Sequence, residues 1–186
     1  MLSPQMKPNR STSLPAAPGS VRIIAGQWRG RKLPVPDLPG LRPTPDRVRE
    51  TLFNWLMPVV EGARGLDLFA GTGALGLEAA SRGAAEVWLV ERDRSAAAAL
   101  RQHVDRLGAD QVQVVNADAL AWLAQPAPCR FDLVFLDPPY AAGVLGQAWQ
   151  RLKTGGWLAP MTHVYAEWPV DQAPPIDLPP WRSGRA

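Results

Sequence analysis

Cysteine is almost absent from this chain of 186 residues, with Cys129 its single copy. One thiol makes neither an internal disulfide nor a cysteine-rich metal site. Histidine is scarce as well, and the two copies, His103 and His163, carry no ligand spacing. His103 lies beside Asp105 and Arg106 on a polar helical stretch and reads as a solvated side chain. No metal is expected. No apolar run is long enough to span a bilayer. The opening MLSPQMKPNRSTSLPAAPGS lacks the apolar core of an export signal. A cytoplasmic protein without a membrane partner is therefore expected.

What is present describes an ordinary globular chain, 46% hydrophobic and 20% charged. Its net charge of +3 is unevenly spread. Residues 1–50 hold nine Lys and Arg against three acids, and the remainder is slightly acidic. A basic arm on an acidic body suggests a polyanion met at one end, or simply a solvated basic tail.

Four segments are expected. Residues 1–20, rich in proline and serine, read as a disordered tail. Residues 21–60 form a basic extension. Within it, VRIIAGQWRGRKLPVP reads as a β-hairpin carrying Arg22, Arg29, Arg31 and Lys32. Thr44 as N-cap and Pro45 as first helical residue then open a helix. Its apolar face is Val48, Leu52, Trp55, Leu56 and Val59, and Pro58 should end it near Met57. Residues 61–170 alternate strands (GLDLFA, EVWLVE, QVQVVN, FDLVFLD, THVYAEW) with helices at Ala74–Ser81, Arg94–Leu107, Ala119–Leu123 and Val144–Leu152. That alternation predicts an α/β fold with a doubly wound, mostly parallel sheet. Residues 171–186 are proline-rich and irregular.

Every candidate functional residue of that core falls at a carboxyl end of a strand, where such sheets bind ligands. Asp67, Phe69, Gly71, Gly73 and Gly76 mark a strand, a glycine turn and a helix start. The turn fits GxGxxG, a weak signal by itself. Glu91, twenty residues after Gly71, can hold ribose hydroxyls, and Arg92 follows it. Asp67 separates the possibilities. A carboxylate at the loop repels a pyrophosphate but suits an ammonium, such as that of a methionine moiety. Asp118 and Ala119 open the next helix, where Asp118 is an N-cap or an acceptor for an adenine amine. Trp88 and Trp122 read as packing residues.

Asp137, Pro138, Pro139 and Tyr140 close the fourth core strand. Two prolines stiffen the backbone and remove two donors. The Asp137 carboxylate and Pro138 carbonyl then match the two N–H groups of an exocyclic amine. Tyr140 offers a stacking ring, and Asp137 a proton acceptor.

These residues resemble the Rossmann-like S-adenosylmethionine methyltransferases with a D/N-PP-Y/F motif. RIIAGQWRGRKLPVP and LRPTPDRVRETLFNWL narrow the resemblance to the bacterial 16S rRNA guanine-N2 methyltransferase family of the RsmD type. The resemblance covers about residues 21–168. It implies S-adenosyl-L-methionine as cofactor and guanine N2 of 16S ribosomal RNA as acceptor, in an assembling small subunit. It places Asp67, Gly71 and Gly73 on the cofactor, Glu91 on its ribose and Asp118 on its adenine side. Arg42, Thr44, Arg47 and Arg49 would lie over the pocket, with Arg42 and Arg47 also toward RNA. Family sequences continue past a WRSGRAG-like stretch into a final strand, so the terminal strand is expected to be missing here. Three other readings stay open: a DNA adenine-N6 methyltransferase, a nicotinamide oxidoreductase, and a non-enzymatic RNA-binding module.

Overall fold

A computed structural model describes residues 19–36, 44–138 and 143–168. Residues 1–18 of the expected tail and the irregular C-terminal segment lie outside the described residues, as do Arg42, Pro139 and Tyr140, whereas Ser20, expected in the tail, begins the first strand.

The arm comes first. Strands β1 (Ser20–Arg22) and β2 (Lys32–Pro34) pair antiparallel, with Val21 opposite Leu33. Val21, Ile23, Leu33 and Val35 face inward while Arg22 and Lys32 face out, the alternation of a half-buried ribbon. Helix α1 (Asp46–Val60) follows. It departs from expectation at both ends. Pro45, extended at φ −55° and ψ 144°, is the N-cap, and no side chain caps the helix. Thr44 instead gives its carbonyl to Arg49. Pro58 sits inside the last turn, which is retained because Val60 is buried in the core beyond it.

The body is a parallel five-stranded sheet in the order β5-β4-β3-β6-β7. Its strands are β3 (Arg64–Asp67), β4 (Glu86–Glu91), β5 (Val112–Asn116), β6 (Phe131–Leu136) and β7 (Leu158–Ala166). Helices α2 (Ala74–Ser81), α3 (Arg94–Leu107), α4 (Ala119–Leu123) and α5 (Val144–Thr154) connect them. One apolar cluster joins α1, α2, α3 and the arm to Val87, Leu89, Leu133 and Phe135. The other joins α4 and α5 to Leu66, Val90, Val134 and Leu136. Alternate strand residues thus feed opposite faces, the doubly wound arrangement expected. Trp88 and Trp122 do pack. Trp122 lies 5.9 Å from Trp88 and 4.5 Å from Trp157, between ring centroids.

The last strand differs from the sequence expectation of Thr162–Trp168. It starts at Leu158 and ends at Ala166, with a register irregularity where Phe131 pairs Leu158 but Leu133 pairs His163. The Thr162 hydroxyl, donating to Phe131 O or Ala159 O, bridges the slip. Among the described strands β7 is an edge.

Candidate functional site

The turn from β3 to α2 is built by glycine. Gly71 and Gly73 have φ of +51° and +76°, and Gly73 is the residue before α2. A Cβ on Gly73 would stand 2.6 Å from Leu100 Cδ2, so both conformation and space require glycine there. The turn delivers the Gly76 amide to Asp67 Oδ2 at 2.9 Å.

Register then sets the carboxylates. Asp67 pairs with Leu89 and Phe135, and Phe135 with Tyr165. Residues two positions further on share their face. Glu91 follows Leu89 and Asp137 follows Phe135, so three acids from three strands converge at the carboxyl ends. Asp67 is buried. Burial first, then the negative charges of Asp137 and Glu91, push its carboxyl up from 3.8 to about 7, against the opposing Gly76 amide. Among the described residues, no cation is one of the main groups acting on it. An ammonium ligand would supply the missing counter-charge, so the residues present fit the methionine end of the expected cofactor.

Asp137 is raised to about 6 by burial and by the charge of Glu167. Glu91 Oε2 accepts from the Gly71 amide at 2.9 Å, and Oε1 from the Asp93 amide at 2.7 Å. It is thereby aimed across the loop, each oxygen keeping further acceptor capacity. Asn116, the register partner of Glu91 on β5, donates to the carbonyls of Glu91 and Arg92 and fixes that strand end. Asp118 caps α4 by accepting from Ala121 N at 3.0 Å. It remains exposed beside buried Ala119. Phe69 is partly buried against the α4 and α5 layer. Arg92 is exposed.

The arm lies over this end of the sheet. Val35 and Pro36 line a narrow cleft with Gly71, Thr72, Ala96, Ala99, Leu100 and His103. His103, expected to be solvated, is buried here. The Pro34 backbone lies against it, and burial, its largest influence, lowers its pKa. Its neighbours on the helix are polar, but the arm covers this one position, four residues after Ala99. A larger hollow lined by Val59, Glu61, Gly62, Asp132, Met161 and His163 lies at the opposite, amino-terminal ends of the strands, away from every candidate residue.

The basic candidates separate into two groups. Arg29, Arg31, Lys32 and Arg47 are exposed. Arg22 is instead held by Asp46, 2.9 Å away. Arg49 does not cover a pocket. It is fully buried, bonded to Asp46, Thr44 O and Arg22 O, and 3.5 Å from Glu78. Sequence reasoning missed Glu78, whose carboxylate accepts the Ile24 and Ala25 amides and pairs with Arg82. It also missed Tyr165 and Glu167, because strand THVYAEW carries no motif. Their placement next to Asp137 exists only through pairing of β7 with β6. Among the described residues, no cluster of His, Cys, Asp and Glu could hold a metal, and no helix is long and apolar enough to cross a membrane.

Comparison with known proteins adds the following. Residues 21–186 match the family described as conserved hypothetical protein 95. The chain is 50% identical over 175 residues to ribosomal RNA small subunit methyltransferase D of Escherichia coli (strain K12), covering 94% of this chain and 85% of that one. It is 48% identical over 161 residues to the protein of that name from Haemophilus influenzae, covering 85% and 83%. A solved Escherichia coli structure, a candidate methyltransferase, superposes with a TM-score of 0.75 at 50% identity, covering 80% of each chain.

Proposed function

This chain belongs to the conserved hypothetical protein 95 family, and we propose that it methylates the exocyclic N2 amine of a guanine in small-subunit ribosomal RNA, with S-adenosyl-L-methionine as donor. It is an enzyme of the ribosomal RNA small-subunit methyltransferase kind, as its half-identical relatives are named. The observation that carries the finer reading is the convergence of Asp67, Glu91 and Asp137 on one face of the sheet at adjacent strand ends.

When bound, the cofactor supplies a methyl group already activated on a sulfonium, so the protein's task is positioning. Asp67 would hold the ammonium and Glu91 the ribose hydroxyls. Gly71, Gly73 and Phe69 would shape the turn around it. Asp118, Ala119 and Arg92 would line the adenine side. The Asp137 carboxylate and Pro138 carbonyl would accept the two N–H groups of the amine and aim its lone pair. Pro139 would keep that backbone stiff, and Tyr140 would stack on the base. A nitrogen that gains a methyl becomes strongly acidic, and Asp137, poised near neutrality, is placed to take its proton. Arg29, Arg31, Lys32 and Arg47 would meet phosphates, with Arg42 beside them and Arg22 contributing only what Asp46 leaves free. The setting is the cytoplasm and an assembling small ribosomal subunit.

The test is incubation of the purified chain with methyl-labelled cofactor and unmethylated 16S ribosomal RNA, naked and in small-subunit particles. Nucleoside mass spectrometry of the digested RNA should show N2-methylguanosine at one position. N6-methyladenosine, or label in DNA alone, would replace this reading with that of an adenine methyltransferase.

A further inference from the structure

The acceptor amine is met by Asp137, yet Asp137 is not the outermost acid of the site. Strand β7 pairs parallel with β6, and the last pair is Leu136 with Ala166. The next residues on the two strands are Asp137 and Glu167. The Glu167 amide donates to Leu136 O at 2.9 Å, so the alignment persists to this point. Residues level with each other on parallel strands point to the same face. That face is the one carrying Phe135 and Tyr165. The two residues therefore stand side by side on strands about 4.8 Å apart, with both acid side chains on that face. The Glu167 charge accordingly helps hold Asp137 above its usual range.

Glu167 is also oriented. Tyr165, two residues back on the same face, donates its hydroxyl to Glu167 Oε1 at 2.6 Å. That hydrogen bond and the charge of Glu167 both keep the Tyr165 hydroxyl protonated, adding to the effect of its burial. Tyr165 thus fixes one oxygen of the carboxylate and leaves Oε2 as a directed acceptor. A like-charged neighbour makes Asp137 harder to ionise and does nothing to help it accept an amine. The pair is useful if a substrate brings two adjacent donors, one for each acid.

We propose that Glu167 is a specificity-determining residue that accepts the N1–H of the target guanine while Asp137 accepts its N2 amine. The proposal rests on the guanine-N2 reading above and extends it to how the base is chosen. Guanine presents N1–H and N2–H next to each other on its Watson–Crick edge, the edge that base-modifying enzymes read in an extruded nucleotide. Adenine presents a bare N1 there, whose lone pair would face the Glu167 oxygen. A site built to receive a donor rejects an analogue lacking it, because its acceptor is left unpaired. Adenine is excluded by that repulsion, whatever Asp137 and the proline backbone offer its amine.

The experiment uses the position mapped as above and an RNA assembled with either guanosine or 2,6-diaminopurine riboside there. Diaminopurine keeps the N2 amine and replaces N1–H by an acceptor. The wild-type enzyme should favour the guanosine RNA in kcat/KM by roughly 100-fold, the scale for one charge-assisted hydrogen bond lost and left unpaired. Glu167→Gln should collapse that preference to within a few-fold. Its amide oxygen can stay with Tyr165 and its NH2 can donate to the diaminopurine N1. The ratio compares two substrates of the same preparation, so a partly unfolded variant does not distort it. A wild-type ratio near one, or an unchanged ratio in Glu167→Gln, overturns the role of Glu167 while leaving N2-methylguanosine as product. A product other than N2-methylguanosine overturns the guanine-N2 reading itself.

Discussion

The wholly buried carboxylate of Glu78 accepts the backbone amide of Ile24 at 2.8 Å. It takes the Ala25 amide as well, and Arg49 and Arg82 balance its charge. The basic arm is in this way fastened to the helix that begins at the glycine turn. Gly26 fits the same seat. A Cβ there would stand 1.8 Å from Ser81 O, the acceptor of the Gln27 amide.

Removing one member of this buried group should be expensive. Glu78→Ala leaves the Arg49 guanidinium buried with less counter-charge and two arm amides without acceptors. A loss of about 3–5 kcal/mol is expected. Urea unfolding measures it, and Glu78→Gln should recover part of the loss, because its amide oxygen still accepts an arm amide. Stability within 0.5 kcal/mol of wild type, about the size of an ordinary surface change, would show that the arm is held by its apolar residues alone.

Asp137→Ala should abolish methyl transfer while leaving S-adenosylmethionine affinity within a few-fold. In the proposed arrangement Asp137 faces the acceptor, whereas Asp67 and Glu91 lie at the glycine turn proposed to hold the cofactor. Calorimetry with the cofactor, alongside a label-transfer assay, separates the two effects. Equal loss of both would contradict the division of labour.

The rate should depend on the charge of Asp137. Its carboxyl is raised to about 6, chiefly by burial and also by Glu167. Below that pH it is protonated, accepts the amine more weakly and cannot take its proton, so kcat/KM should rise as pH increases through about 6. Glu167→Gln removes the like charge but not the burial, and should move the midpoint downward. A profile flat from pH 5 to 8 would exclude Asp137 as the proton acceptor.

Asp67 sets activity against stability. Its folded-state carboxyl titrates near 7 instead of 3.8, so the folded chain binds that proton more tightly than the unfolded one. The resulting stabilisation is complete at low pH, fades as pH rises from about 4 to 7, and is gone above. Asp67→Asn keeps an acceptor for the Gly76 amide without the buried charge. At pH 8 and without cofactor it should melt higher than wild type, being more stable by on the order of a few kcal/mol, and bind S-adenosylmethionine far more weakly. Thermal melts of both proteins across pH 5–8 check the sign.

Charge reversal of Arg29 and Arg31 to Glu should weaken RNA binding and spare cofactor binding. Both side chains are exposed on the arm, and phosphate neutralisation dominates nucleic-acid affinity. The mark of lost phosphate contacts is a shallower dependence of RNA affinity on salt. Unchanged affinity and slope would remove the arm from the interface.

The sequence by itself determined the repeating elements. Apolar runs such as VFL before Asp137 and the glycines after Asp67 impose strand, turn and helix through local sterics and burial, and the resulting carboxyl ends locate Asp67, Glu91 and Asp137. It also carried the arm, since its alternation of Val21, Ile23 and Leu33 with Arg22 and Lys32 is a property of neighbours in the chain. Only the tertiary structure decided what long-range pairing brings together. Arg49 looks like a free cation until Glu78, 29 positions later, is folded against it. His103 looks solvated until Pro34 covers it. Glu167 looks like any strand-end acid until β7 aligns it with Asp137, thirty residues earlier. Ion pairs, burial and strand register depend on distances between segments that no local period encodes.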